Sequence, residues 1–189
     1  MYLYQPCLLT MALHAWAFEQ TERKDRWLRI LFPLGILAIS EWELTFTGFS
    51  VYPSAVLLPV LFLLGRCQAV AWPEVLAAAL LGGLLCWKTA DAWPLLPGLM
   101  VLCGALLMIP ILLLCCERED RRLACALGGL VFELFFCLRE YMLFSFCVLR
   151  FGSRQSLELS TTAICAYAVF ETLRVAVGHK GKQAASAGK

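Results

Sequence analysis

The stretch Leu123 to Leu149, LACALGGLVFELFFCLREYMLFSFCVL, decides how the rest of the chain is read. It is apolar and long enough to cross a bilayer as a helix, yet it carries Glu133, Arg139 and Glu140 well inside. An ionised side chain at a bilayer centre costs roughly 2.5–3.5 kcal/mol even on the lenient insertion scale. Such groups therefore face other helices or a watery cavity and are functional candidates. At 1.5 Å per residue, Glu133 lies about 15 Å from Leu123 and Glu140 about 14 Å from Leu149, so both fall near the middle. Seven residues is close to two helical turns, which puts Glu133, Cys137 and Glu140 on one stripe. Arg139 projects about 100° away from Glu140 and does not simply pair with either glutamate along that face.

The surrounding composition points the same way. The chain has 189 residues, 61% hydrophobic and 16% charged, with a mean hydropathy of +0.75. A soluble domain has roughly 45–50% apolar and 25% charged residues. The apolar runs are continuous rather than alternating, so the expectation is an all-α, polytopic transmembrane helical bundle and not a transmembrane barrel. A net charge of +2, with the basic residues in turns, gives no reason to expect a nucleic-acid partner. Of ten cysteines, Cys7, Cys86, Cys103, Cys115, Cys116, Cys125, Cys137, Cys147 and Cys165 lie within or at the ends of apolar runs, and no C-x-x-C occurs. They read as small hydrophobes rather than as a disulfide framework or a metal site.

Taken in order, Tyr2 to Phe18 reads as a first membrane helix, followed by a charged turn from Glu19 to Arg26. Ala15-Trp16-Ala17 has the small-x-small form of a signal cleavage site, but the run lacks a positive start. Trp27 to Ser40 is a second run and Leu44 to Gly65 a third, the latter bent by Pro53 and Pro59. Trp72-Pro73-Glu74 reads as a helix start, with proline in the first turn and a carboxylate facing the positive end of the helix dipole. Ala78-x-x-x-Gly82, Ala79-x-x-x-Gly83 and Cys125-x-x-x-Gly129 have the spacing that lets two helices approach closely. Lys88 to Trp93 is a turn, Pro94 to Cys116 a fifth span, and Glu117 to Arg122 a solvated loop of both signs. Ser156 is the expected N-cap of a last span reaching Val177, with Glu158 in its first turn and Glu171 and Arg174 placed for a local ion pair.

Seven spans, or six as the alternative, make residues 1–177 a single transmembrane domain and 178–189 a disordered cytoplasmic tail. With the N-terminus outside, twelve of the sixteen Lys and Arg residues fall inside, three fall outside (Lys88, Arg150 and Arg154), and Arg139 lies within the membrane. That bias supports this orientation for a multi-pass membrane protein, and all six tryptophans fall at or near span ends. The runs Trp27 to Ser40 and Pro73 to Trp87 are short for spans.

No G-x-S-x-G, H-E-x-x-H, Walker-type or G-x-G-x-x-G motif occurs, so the chain is not expected to be an enzyme, and no cofactor or metal is implied. The candidate polar core is Glu133, Arg139 and Glu140, with His14, Glu41, Glu43 and Asp91 as secondary candidates. A lone His14 reads first as a packing residue. Two functions stay open. In one, the charges are buried ties in an assembly protein that binds other membrane proteins. In the other, they line a cavity for a small solute, cation or proton, as in a transporter or its substrate-binding subunit. The lipid bilayer is the partner common to both.

The order of features resembles the YphA-like small integral membrane proteins of endospore-forming Firmicutes. The resemblance rests on the aromatic-rich run Tyr2 to Phe18, the charged turn to Arg26, and Gly152-Ser153 followed by Ser156-Leu157-Glu158 before the last helix. It implies a multi-pass protein of the bacterial cytoplasmic membrane, of uncharacterised activity and linked to sporulation, and supplies no catalytic residues. In size the chain is also similar to the six-span substrate-binding subunits of energy-coupling-factor transporters, without any motif of theirs.

Overall fold

The computed structural model describes the backbone of residues 3–18, 23–64, 69–92, 97–117, 120–144 and 149–187. Side chains are described for 3–13, 30–63, 69–90, 101–117, 120–144 and 150–174. Within these residues the elements in chain order are α1 (Tyr4–Phe18), α2 (Arg23–Ala38), β1 (Leu44–Phe46), β2 (Phe49–Val51), α3 (Pro53–Leu64), α4 (Trp72–Ala92), α5 (Pro97–Cys115), α6 (Arg121–Phe144), β3 (Leu149–Phe151) and α7 (Arg154–Ala187).

The helical class expected from the apolar runs is present, but the transmembrane bundle is not. Among the described residues, no helix is long and apolar enough to cross a membrane. The expectation of a multi-pass protein of the bacterial cytoplasmic membrane is corrected on that finding. The reason lies in how the runs are divided. The first three helices have 15, 16 and 12 residues, about 18–24 Å against a hydrocarbon core of roughly 30 Å. Part of each charged turn lies inside a helix: Arg23, Lys24, Asp25 and Arg26 open α2, and Arg121 and Arg122 open α6. Helix α4 runs through the supposed turn at Lys88 and ends at Ala92, so it carries Glu74, Lys88 and Asp91.

The third expected span is two structures. Leu44 to Val51 forms a β-hairpin, in which β1 and β2 pair antiparallel with Phe46 opposite Phe49. Between them, Thr47-Gly48 makes the turn, and Gly48 has φ +93°, where glycine meets no Cβ penalty. The Phe46 and Phe49 rings stack at 4.8 Å. Strand β3, from the far side of α6, adds in parallel to β2 with Ser50 opposite Arg150. Proline opens α3 at Pro53, where its missing N–H is not needed.

The core forms where α4, α5, α6 and α7 meet, with Val75, Ala78, Met108, Leu112, Leu123 and Leu157 almost fully buried. Small residues set the helix spacings, as the sequence pattern predicts. A Cβ at Gly83 would lie 2.7 Å from Val131 and 3.0 Å from the Gly128 carbonyl, so α4 and α6 touch nearly backbone to backbone. Gly129 is held against Ser160 and the Ser156 carbonyl of α7 in the same way. The Ser160 hydroxyl completes that contact by donating to the Ala126 carbonyl at 3.1 Å.

Candidate functional site

Glu133 is 5% exposed, on the buried stripe of α6 that also holds Phe132, Gly129 and Cys137. Its carboxylate is held chiefly by backbone amides, with Arg150 near enough to act on its charge. It accepts the backbone N–H of Gly152 and, at 2.9 Å on each oxygen, the N–H of Ser153. Two adjacent amides can converge on one carboxylate because Gly152 sits at φ +82°, which turns successive N–H groups to the same side and makes a small anion-binding concavity. The close approach of Ala55 Cβ and the Tyr52 carbonyl to Gly152 leaves no room for a side chain there.

The same carboxylate sits at the start of α7. The Ser156 N–H reaches the Ser153 hydroxyl at 3.5 Å, and the Leu157 N–H bonds the Ser153 carbonyl at 3.0 Å. Ser153 is therefore the N-cap, three residues before the Ser156 expected from the sequence. Glu133 adds its charge where the α7 dipole is positive. Burial nevertheless raises the Glu133 carboxyl above its ordinary range, and the Ser153 and Gly152 hydrogen bonds only partly offset that.

Arg139 and Glu140 do not join this arrangement. Arg139 lines a half-open apolar cavity of about 180 Å³ with Trp87, Phe135, Leu138, Met142 and Leu143, on another side of α6. The Trp87 and Phe135 rings stack at 5.9 Å at its base, and Lys88 lies 4.3 Å from the Trp87 ring centre. Glu140 is half-buried, nearly two turns beyond Glu133. Cys137 does share the Glu133 face, its thiol 4.0 Å from the Arg150 carbonyl of β3.

Of the secondary candidates, Glu41 and Glu43 lie near the same end of the molecule. One oxygen of Glu41 accepts the Tyr4 hydroxyl at 2.7 Å, and the other pairs with Arg154 at the start of α7. Burial first, and the neighbouring Glu43 carboxylate second, push the Tyr52 phenol up. The Leu3 N–H donates to Glu158 at 3.1 Å. These contacts tie the start of α1, the α2–β1 connection and the start of α7 together beside the small sheet. The side chains of His14 and Asp91 lie outside the described residues, as does the Ala15-Trp16-Ala17 segment's side-chain structure.

Sequence reasoning missed Tyr4, Gly152, Ser153 and Arg154 as members of this network. Three of the four act from loops or helix ends through backbone groups or over more than a hundred residues of separation. It also missed Arg121, assigned to a solvated loop. Its guanidinium donates to the Leu112 and Cys116 carbonyls at 3.2 and 2.9 Å and so caps α5, while reaching the Tyr167 hydroxyl at 3.3 Å.

Among the described residues, no group of three or more His, Cys, Asp or Glu side chains is placed to hold a metal ion. No family model, curated protein or solved structure matches the chain, so no match ties it to sporulation.

Proposed function

We propose that the protein acts by binding, as an assembly component that presents apolar helical ridges to an apolar helix of a partner protein. The observation that carries this reading is the spacing of its exposed leucines. On α4, Leu76, Leu80 and Leu84 are 47%, 51% and 38% exposed at four-residue steps. On α6, Leu134, Leu138 and Met142 repeat the pattern at 43%, 55% and 77%. Residues four apart form the ridges that interdigitate when one helix packs on another, and exposed apolar patches of this kind mark interaction surfaces. The use of Glu133 supports the same reading. A carboxylate already occupied by two backbone amides is a tie between elements, and the cavity beside Arg139 is not lined by Glu133 or Glu140.

The test is native mass spectrometry of the full chain in mild detergent. A protein complex, with a partner or a second copy, is expected in the wild type and in Glu133→Gln and Glu140→Gln. It is expected to dissociate when Leu80→Glu and Leu138→Glu are combined. A monomer carrying a small molecule that Glu133→Gln or Glu140→Gln loses would overturn the reading in favour of solute capture.

A further inference from the structure

The eight cysteines among the described residues are all free thiols, and two of them meet across the α1–α7 contact. Cys165, on α7, donates its thiol hydrogen to the Cys7 carbonyl at 3.5 Å, and its thiol acts electrostatically on the Cys7 thiol. Thr162, one turn earlier on α7, places its hydroxyl 4.0 Å from the same sulfur. Cys7 lies in the first turn of α1, its N–H bonded to the Leu3 carbonyl, where the helix dipole favours a thiolate. Both residues are half-buried, unlike Cys86, Cys116 and Cys125 in the core.

We propose that Cys7 and Cys165 are a thiol–disulfide exchange pair, in which Cys7 attacks a low-molecular-weight disulfide and Cys165 resolves the adduct, covalently joining α1 to α7. In the first step the Cys7 thiolate bonds to one sulfur of the small disulfide and expels the other as a thiolate. That thiolate takes the Cys165 proton. The Cys165 sulfur then bonds to the Cys7 sulfur and expels the second small thiol. Two protein thiols are oxidised by two electrons, and one external disulfide is reduced to two thiols, so the exchange needs no other oxidant.

The electrostatics agree with this division of labour. The neighbouring Cys165 thiol first, with help from Thr162, lowers the Cys7 thiol below its ordinary range against the opposing effects of burial and Glu158. The Cys7 thiol raises Cys165 while both are reduced, so Cys165 reacts second, once the adduct on Cys7 has removed that contact. Burial pushes Cys86 up to about 12 and Cys116 up to about 11, which leaves those thiols inert at neutral pH. The pairing is separate from the apolar ridges proposed as the binding surface, and its test does not depend on them.

The experiment treats the full-length reduced protein at neutral pH with limiting iodoacetamide, and separately with oxidised glutathione, and maps both products by peptide mass spectrometry. Cys7 is expected to alkylate at least about fivefold faster than Cys103 and Cys115, which are also half-buried. Oxidised glutathione is expected to give a Cys7–Cys165 linked peptide lighter by two hydrogen atoms. In Cys165→Ser a glutathione adduct should accumulate on Cys7, and Cys103→Ser should leave the linkage intact. Equal alkylation of Cys7 and Cys103, or a lasting adduct on Cys7 in the wild type without linkage to Cys165, would overturn the proposal. The two wild-type measurements decide it even if a variant fails to fold.

Discussion

Replacing Glu133 with alanine leaves the buried Gly152 amide and the half-buried Ser153 amide without their acceptor. An unsatisfied buried donor costs about 1–3 kcal/mol, so Glu133→Ala is expected to destabilise the fold by about 2–4 kcal/mol, read from the denaturant midpoint. The same residue sets a pH dependence. Its folded carboxyl titrates above the ordinary value of 4.5. Protonation of Glu133 therefore favours the folded state, and that increment is complete below pH 4.5 and is lost as pH rises through the folded value. A stability profile of wild type against Glu133→Gln should show that decline only in the wild type. The residue pattern alone places Glu133, Cys137 and Glu140 on one stripe, because helical geometry needs only their spacing; Glu133 and Cys137 are buried there, and Glu140 is half-buried. It could not name the acceptor's partners. They are backbone amides about twenty residues away, and a backbone group leaves no signature in side-chain chemistry.

At the scale of elements, the small residues of α4 and α6 were readable because close helix approach needs a missing side chain at four-residue intervals. A methyl at Gly129 would lie 2.5 Å from the Ser156 carbonyl and would also collide with the Ser160 hydroxyl. Gly129→Ala should therefore push α7 from α6 and cost about 1–3 kcal/mol, with a lowered thermal midpoint and greater hydrogen exchange along α7. The β-hairpin was not readable as such. Leu44 to Phe49 joins an apolar run that continues into α3, and a short apolar run does not distinguish strand from helix by periodicity. The usable signal was Thr47-Gly48 between residues rich in aromatic and β-branched side chains.

Across the whole molecule, composition identified the helical class but overstated what each apolar run could do. The runs are cut by the hairpin and extended into charged segments, and among the described residues no helix is long and apolar enough to span a bilayer. What the apolar surplus does instead is leave ridges of leucine on the outside of α4 and α6. Introducing Leu80→Glu and Leu138→Glu should leave helical content unchanged by circular dichroism, since both side chains are about half exposed, while abolishing the complex seen in native mass spectrometry. The cysteine pair was hidden for a similar reason, since Cys7 and Cys165 are 158 residues apart and share no local motif.

Glu133 holds the β3–α7 connection through the Gly152 and Ser153 amides. Amide hydrogen exchange at Gly152 and Ser153 tests it most directly, comparing wild type with Glu133→Ala. Protection at both amides in the wild type, lost in the variant while the α6 amides before Glu133 stay protected, is the predicted result. Rapid exchange at Gly152 and Ser153 in the wild type would contradict it.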